Sequence, residues 1–179
     1  ALPIFQRAAY IEDNRLLERL TDYALTRLYG EQPGDNPPAQ LLGRVVDRTA
    51  DLAASYMVAG FVHGVLNSDN INVTGESFDY GPWRFTPLWD AGFTAAYFDE
   101  WGLYSFGRQP EALFWNLSRL ADCLLGLVPK ERLEAGLKGF GPALQDAFAE
   151  AILFLASEQA SWITGTVFPV DSGVTAGHQ

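Results

Sequence analysis

The chain has 179 residues, 48% of them hydrophobic and 13% aromatic. That suits one medium-sized domain with a buried core and excludes a disordered polymer. Twelve Lys and Arg against 22 Asp and Glu give a net charge of −10, and with no offsetting basic cluster nucleic acid is not expected as a partner.

The N-terminal Ala1-Leu2-Pro3-Ile4-Phe5-Gln6-Arg7 lacks the basic region and apolar core of a signal peptide. No apolar stretch is long enough to span a bilayer, so the expectation is no membrane association and a cytoplasmic location. Leu16, Leu17, Leu20, Ala24, Leu25 and Leu28 line one face of a helix over Asn14–Tyr29, with Gly30 as its stop and 34–38 as a loop. A longer helix is expected from Pro38 or Ala39 to about Phe61, apolar on more than one side. Ile71–Val73 and Ser77–Tyr80 read as short strands joined by a turn at Thr74-Gly75-Glu76. The aromatic-rich 82–107 stretch reads as irregular, with most of its rings acting as core and loop anchors. Helices follow from Pro110 to about Leu127 and from about Lys130 to Ser157, the second bent near Gly139-Phe140-Gly141-Pro142. Trp162–Val170 reads as a strand. The one cysteine, Cys123, sits in the apolar run 120–128 and reads as a buried structural thiol; a lone cysteine excludes an internal disulfide and a Cys-based zinc cluster.

The segment His63-Gly64-Val65-Leu66-Asn67-Ser68-Asp69-Asn70, with Asp79-Tyr80-Gly81 after it, carries the chemistry. Protein kinases hold metal and nucleotide phosphates with a catalytic-loop Asn and the Asp of a DFG turn. Asn70 and Asp79 stand at comparable spacing, while Val65 takes the place of the usual catalytic Asp, which points to altered chemistry. On spacing alone a turn-forming role stays open: Asp69-Asn70 as an Asx turn and Asp79 as a cap at Gly81. His63 is expected to brace the loop by hydrogen bonding rather than to transfer protons.

Phe61–Asn70 and Phe78-Asp79-Tyr80-Gly81-Pro82 resemble the signature of the selenoprotein O (SelO) family of kinase-fold proteins. Tyr104-Ser105-Phe106-Gly107-Arg108-Gln109-Pro110 and Trp115-Asn116-Leu117-Ser118-Arg119-Leu120-Ala121 resemble it too, and the similarity runs from about Phe5 to about Phe148. The resemblance implies a protein adenylyltransferase that moves AMP from ATP to Ser, Thr or Tyr hydroxyls of protein substrates. It implies Asp69 as proton acceptor, Asn70 as a ligand of Mg²⁺ (or Mn²⁺), and Asp79 as a ligand of both the metal and ATP. The expected fold is mainly α with a short β-hairpin, a protein-kinase-like C-lobe with its N-lobe missing, and a short C-terminal strand. Residues 1–148 are expected to form that lobe. Residues 149–179 form a tail in which Ala151–Ser157 and Ser161–Val174 resemble the end of short-chain dehydrogenases/reductases. No Gly-x-Gly-x-x-Gly motif supports a dinucleotide site. The alternative function is a catalytically inactive module that binds metal or a partner.

Overall fold

A computed structural model describes residues 2–161, so the expected strand Trp162–Val170 lies outside the described residues. The architecture is helical, in the order α1 (Leu2–Tyr10), α2 (Asn14–Tyr23), α3 (Pro37–Ala59), β1 (Phe61–Val62), β2 (Arg84–Phe85), α4 (Gln109–Cys123), α5 (Lys130–Leu137) and α6 (Phe140–Leu155). Among the described residues, no helix is long and apolar enough to cross a membrane.

The expected helices form, and local chemistry explains their ends. Asp13 caps α2 by accepting the Leu16 N–H at 2.9 Å. The helix then widens into a π turn over Ala24–Leu28, just before Gly30. Asn36 caps α3 by accepting the Ala39 N–H at 3.1 Å, with Pro37 and Pro38 in the first turn where no N–H is needed. Gly60 ends α3 at φ 64°, a left-handed cap. The break expected near Gly139 separates α5 from α6. One helix, α1, was not anticipated: its Leu2, Phe5 and Ala8 are buried, and it packs against α2 and α4.

α3 is the central element. It buries Leu41, Leu42, Val45, Val46, Ala50 and Ala53, and packs against α2, α4, α5 and α6. Each buried Leu or Val contributes about 1.5–3 kcal/mol relative to exposure. The core therefore anchors the C-terminal end of α3, the end from which the 61–81 segment departs.

The strands differ from expectation. Ile71–Val73 and Ser77–Tyr80 do not extend into two full strands; their pairing is one antiparallel bridge, Ile71 with Ser77, flanked by the Asn72 N–H to the Glu76 carbonyl at 2.7 Å and the Phe78 N–H to the Asn70 carbonyl. Asn72 turns its own Oδ1 onto the Val73 N–H at 2.9 Å, and Asp79 adopts φ 59°, so neither arm stays extended. The two-stranded sheet pairs β1 with β2 instead, antiparallel, with Phe61 opposite Phe85 and Val62 opposite Arg84. The 82–107 aromatics also depart from expectation. Phe106 is core, but Trp83, Phe85, Trp89, Tyr97, Phe98 and Trp101 are exposed, Trp101 by 91%.

Candidate functional site

Three elements hold the 63–81 loop in place. β1 enters it from α3, and β2 leaves it back along β1. α4 grips its start through Gln109, which is fully buried: Oε1 accepts the His63 N–H at 3.0 Å and Nε2 donates to the Phe61 carbonyl at 2.8 Å. Asn116, about two turns further along α4, donates to the Leu66 carbonyl at 2.8 Å. The far part of the loop is tied by two phenols. Tyr29 donates to the Val73 carbonyl, and Tyr56 of α3 to the Ser77 hydroxyl.

His63 is the internal strut. Its ring is buried, Nδ1 accepts the Val65 N–H at 3.3 Å, and Nε2 lies 3.2 Å from the Phe78 carbonyl. With Nδ1 an acceptor, the proton resides on Nε2 and is donated to Phe78, the residue before Asp79. Burial holds the imidazole below its ordinary pKa, against the opposing pull of the Phe78 carbonyl and the Asp79 charge. A neutral, doubly engaged ring braces the loop, the role the sequence assigned to it.

The bracing brings Asn70 and Asp79 to adjacent ends of the Ile71–Ser77 bridge, where the Phe78 N–H donates to the Asn70 carbonyl at 3.1 Å. Asn70 is buried, and its Nδ2 donates to the Val65 carbonyl at 3.0 Å, leaving Oδ1 as the oxygen that can serve as a ligand. Asp79 is exposed; its φ of 59° is a left-handed value that few residues other than glycine adopt. Its carbonyl accepts the Gly81 N–H at 2.8 Å, closing a tight turn. Asp69 is exposed on the turn closed by the Asn70 N–H to the Asn67 carbonyl, 3.0 Å.

Among the described residues no group of three His, Cys, Asp or Glu side chains could hold a metal. The donors present are one amide oxygen and one carboxylate. That fits Mg²⁺, a hard cation that keeps several waters and takes one or two protein oxygens beside substrate phosphates. It does not fit zinc, which needs a fuller nitrogen or sulfur set. A cleft of about 760 Å³ lies against the 72–76 turn with Arg27, Arg48 and Asp51, and none of Asp69, Asn70 or Asp79 lines it. The residues that sequence reasoning missed are Gln109, Tyr29 and Tyr56. Gln109 lies inside a motif that was noted, yet nothing in its spacing marked it as the clamp on His63.

Comparison with known proteins agrees with these motifs. The family described as "Protein adenylyltransferase SelO" matches residues 2–155. The chain is 41% identical over 150 residues to a protein nucleotidyltransferase YdiU of Synechococcus elongatus, covering 83% of this chain and 30% of that protein. The YdiU of Gloeobacter violaceus is 44% identical over 137 residues, covering 76% and 28%. That of Hahella chejuensis is 40% identical over 145 residues, covering 80% and 29%. The chain thus spans about 30% of the length of the curated relatives it matches. On the extent of that match, and on motifs that converge in one braced loop, the chain belongs to the SelO family of protein adenylyltransferases.

Proposed function

We propose that this chain carries the metal- and nucleotide-binding loop of a protein adenylyltransferase, on the C-lobe of a kinase-like fold. The order supports the fold: a central helix, a strand, the Asp69-Asn70 turn, the Asp79 turn, and a strand returning to the first. The observation that carries the function is the juxtaposition of Asn70 and Asp79 across one bridge, with Asp69 beside Asn70.

In this reading Asn70 Oδ1 and the Asp79 carboxylate hold Mg²⁺, and Asp79 also faces ATP. The metal, when bound, offsets the charge of the phosphates. Asp69 accepts the proton of a Ser, Thr or Tyr hydroxyl on the protein substrate. The hydroxyl oxygen bonds to the α-phosphorus of ATP, the bond from that phosphorus to the β-phosphate bridging oxygen breaks, and pyrophosphate leaves. Asp69 suits this because it is exposed and sits on a turn, and among the described residues no ion pair holds it. Residues 149–179 are read as a tail that resembles the end of short-chain dehydrogenases/reductases.

Calorimetric titration of the folded chain with ATP, with and without Mg²⁺, tests the reading. Binding is expected only with Mg²⁺ and weakened about tenfold or more in Asp79→Asn, since a charged contact is removed. Labelled AMP appearing on a protein hydroxyl, and lost in Asp69→Asn, is the second readout. A well-folded chain that binds no ATP with Mg²⁺ would refute the proposal and leave the inactive binding module in its place.

A further inference from the structure

A second cavity, about 300 Å³, opens beside the Asp69 turn. Leu66, Leu103, Ala112 and the half-exposed Trp115 ring give it an apolar wall. Asn67 and Tyr104 complete that wall, and the Tyr104 hydroxyl donates to Asn67 Oδ1. Asn67 belongs to the Asp69 turn as well, because its carbonyl accepts the Asn70 N–H. The cavity wall and the turn that carries Asp69 therefore share Asn67. Burial raises the Tyr104 pKa, and the charges of Asp99 and Asp69 add to the effect, which puts Asp69 within electrostatic reach of the same wall.

The cavity is preformed. The Asp99 carboxylate accepts the N–H groups of Leu103 and Tyr104, both at 2.8 Å, and Asn116 fixes the Leu66 carbonyl. Several of its polar groups are already engaged. Arg108 pairs with both carboxylate oxygens of Glu111, at 3.0 and 3.3 Å, and Asn67 Oδ1 is taken by Tyr104. The Arg108 cation is thus paired rather than free to face a phosphate. An uncharged apolar group matches what is left.

We propose that this cavity receives an apolar side chain of the acceptor polypeptide, the size of Leu or Phe, flanking the hydroxyl that Asp69 deprotonates. The inference rests on the reading of Asp69 given above and extends it to substrate selection. Consecutive residues of an extended peptide lie about 3.3–3.6 Å apart, so a flanking side chain can fill the cavity while the hydroxyl sits at the turn.

The test uses serine peptides that differ in the flanking residue, Leu, Ala or Asp, titrated into the full chain by fluorescence anisotropy. The Leu peptide is expected to bind about tenfold more tightly than the others, the effect of enclosing a side chain of that size. Leu103→Asp and Ala112→Trp, checked for folding by circular dichroism, should each abolish the preference. Equal affinities, no binding, or a preference that survives both variants would overturn the proposal. The magnesium-dependent ATP titration runs in parallel. Its failure with the preference intact removes the nucleotide reading and leaves the cavity; its success with three equal peptides removes the cavity and leaves the reading.

Discussion

Replacing Gln109 by Leu tests whether one side chain holds the loop to the helical body. Gln109 is fully buried and serves two backbone groups, the His63 N–H at 3.0 Å and the Phe61 carbonyl at 2.8 Å. Leucine fills nearly the same space but offers neither donor nor acceptor. Each orphaned buried group costs about 1–3 kcal/mol, so the pair should cost about 2–6 kcal/mol. Stability of a domain is about 5–15 kcal/mol, so much of it is at stake. Urea denaturation followed by circular dichroism measures the loss, and a melting point lower by about 2–4 °C per kcal/mol corroborates it. His63 also loses its tether, so magnesium-dependent ATP binding should weaken while the chain is still folded. A stability loss below about 1 kcal/mol would refute the reasoning, because it would mean that water or a shifted backbone satisfies both groups.

Burial holds His63 below its ordinary pKa of 6.5, so as pH falls the unfolded chain takes up that proton before the folded one. Stability should therefore decline as pH drops from about 6.5 through the lower folded-state value, and His63→Gln should flatten denaturation curves compared at about pH 7.5 and about pH 5.5; an unchanged slope would show that other groups set it. Gly75→Ala should cost about 2–4 kcal/mol, because Gly75 has φ +77° and a Cβ there would lie 2.6 Å from Arg48 Cβ and 2.7 Å from its carbonyl oxygen. Gly81→Ala meets nothing within 4 Å and should cost less than about 0.5 kcal/mol; equal thermal shifts in the two variants would contradict the clash. Burial, with Asp122 adding to it, pushes the Cys123 thiol up to about 11, so a thiol reagent near pH 8 should label it only after unfolding, and rapid labelling of the native chain would contradict its placement.

The helices were legible because their apolar spacing and their caps agree: Asp13, Asn36 and Gly60 sit where Leu-rich periodicity begins or ends. α1 escaped because a nine-residue helix carrying a proline in its first turn gives too short a periodic signal. The Ile71–Val73 and Ser77–Tyr80 arms have strand-like composition, but the Asn72 amide and the left-handed Asp79 cut them short. β1 and β2 are two residues each, and their pairing is non-local, so no turn signal marks it. Asn70 and Asp79 were singled out by motif spacing and Asp69 by the family resemblance, and the fold sets them on neighbouring turns of one loop. The clamps were not: Tyr29, Tyr56 and Gln109 lie 44, 21 and 46 residues from the loop groups they bind, and meet them only through tertiary packing.

Asp79 answers to two separate demands, and few amino acids meet both. Its backbone occupies a left-handed conformation that Gly, Asn and Asp tolerate and most other residues resist. Its proposed ligand role asks for a negatively charged oxygen, which Gly and Asn lack; Glu keeps the charge but fits the backbone poorly. An alanine variant therefore removes a ligand and distorts a turn at once, so its lost binding says little about the carboxylate. Asparagine keeps the turn and removes only the charge. If the family's chemistry were to lapse in a descendant of this chain, the mildest first step at this position would be to asparagine or glycine, leaving a loop folded as before and without the charge proposed to hold a metal.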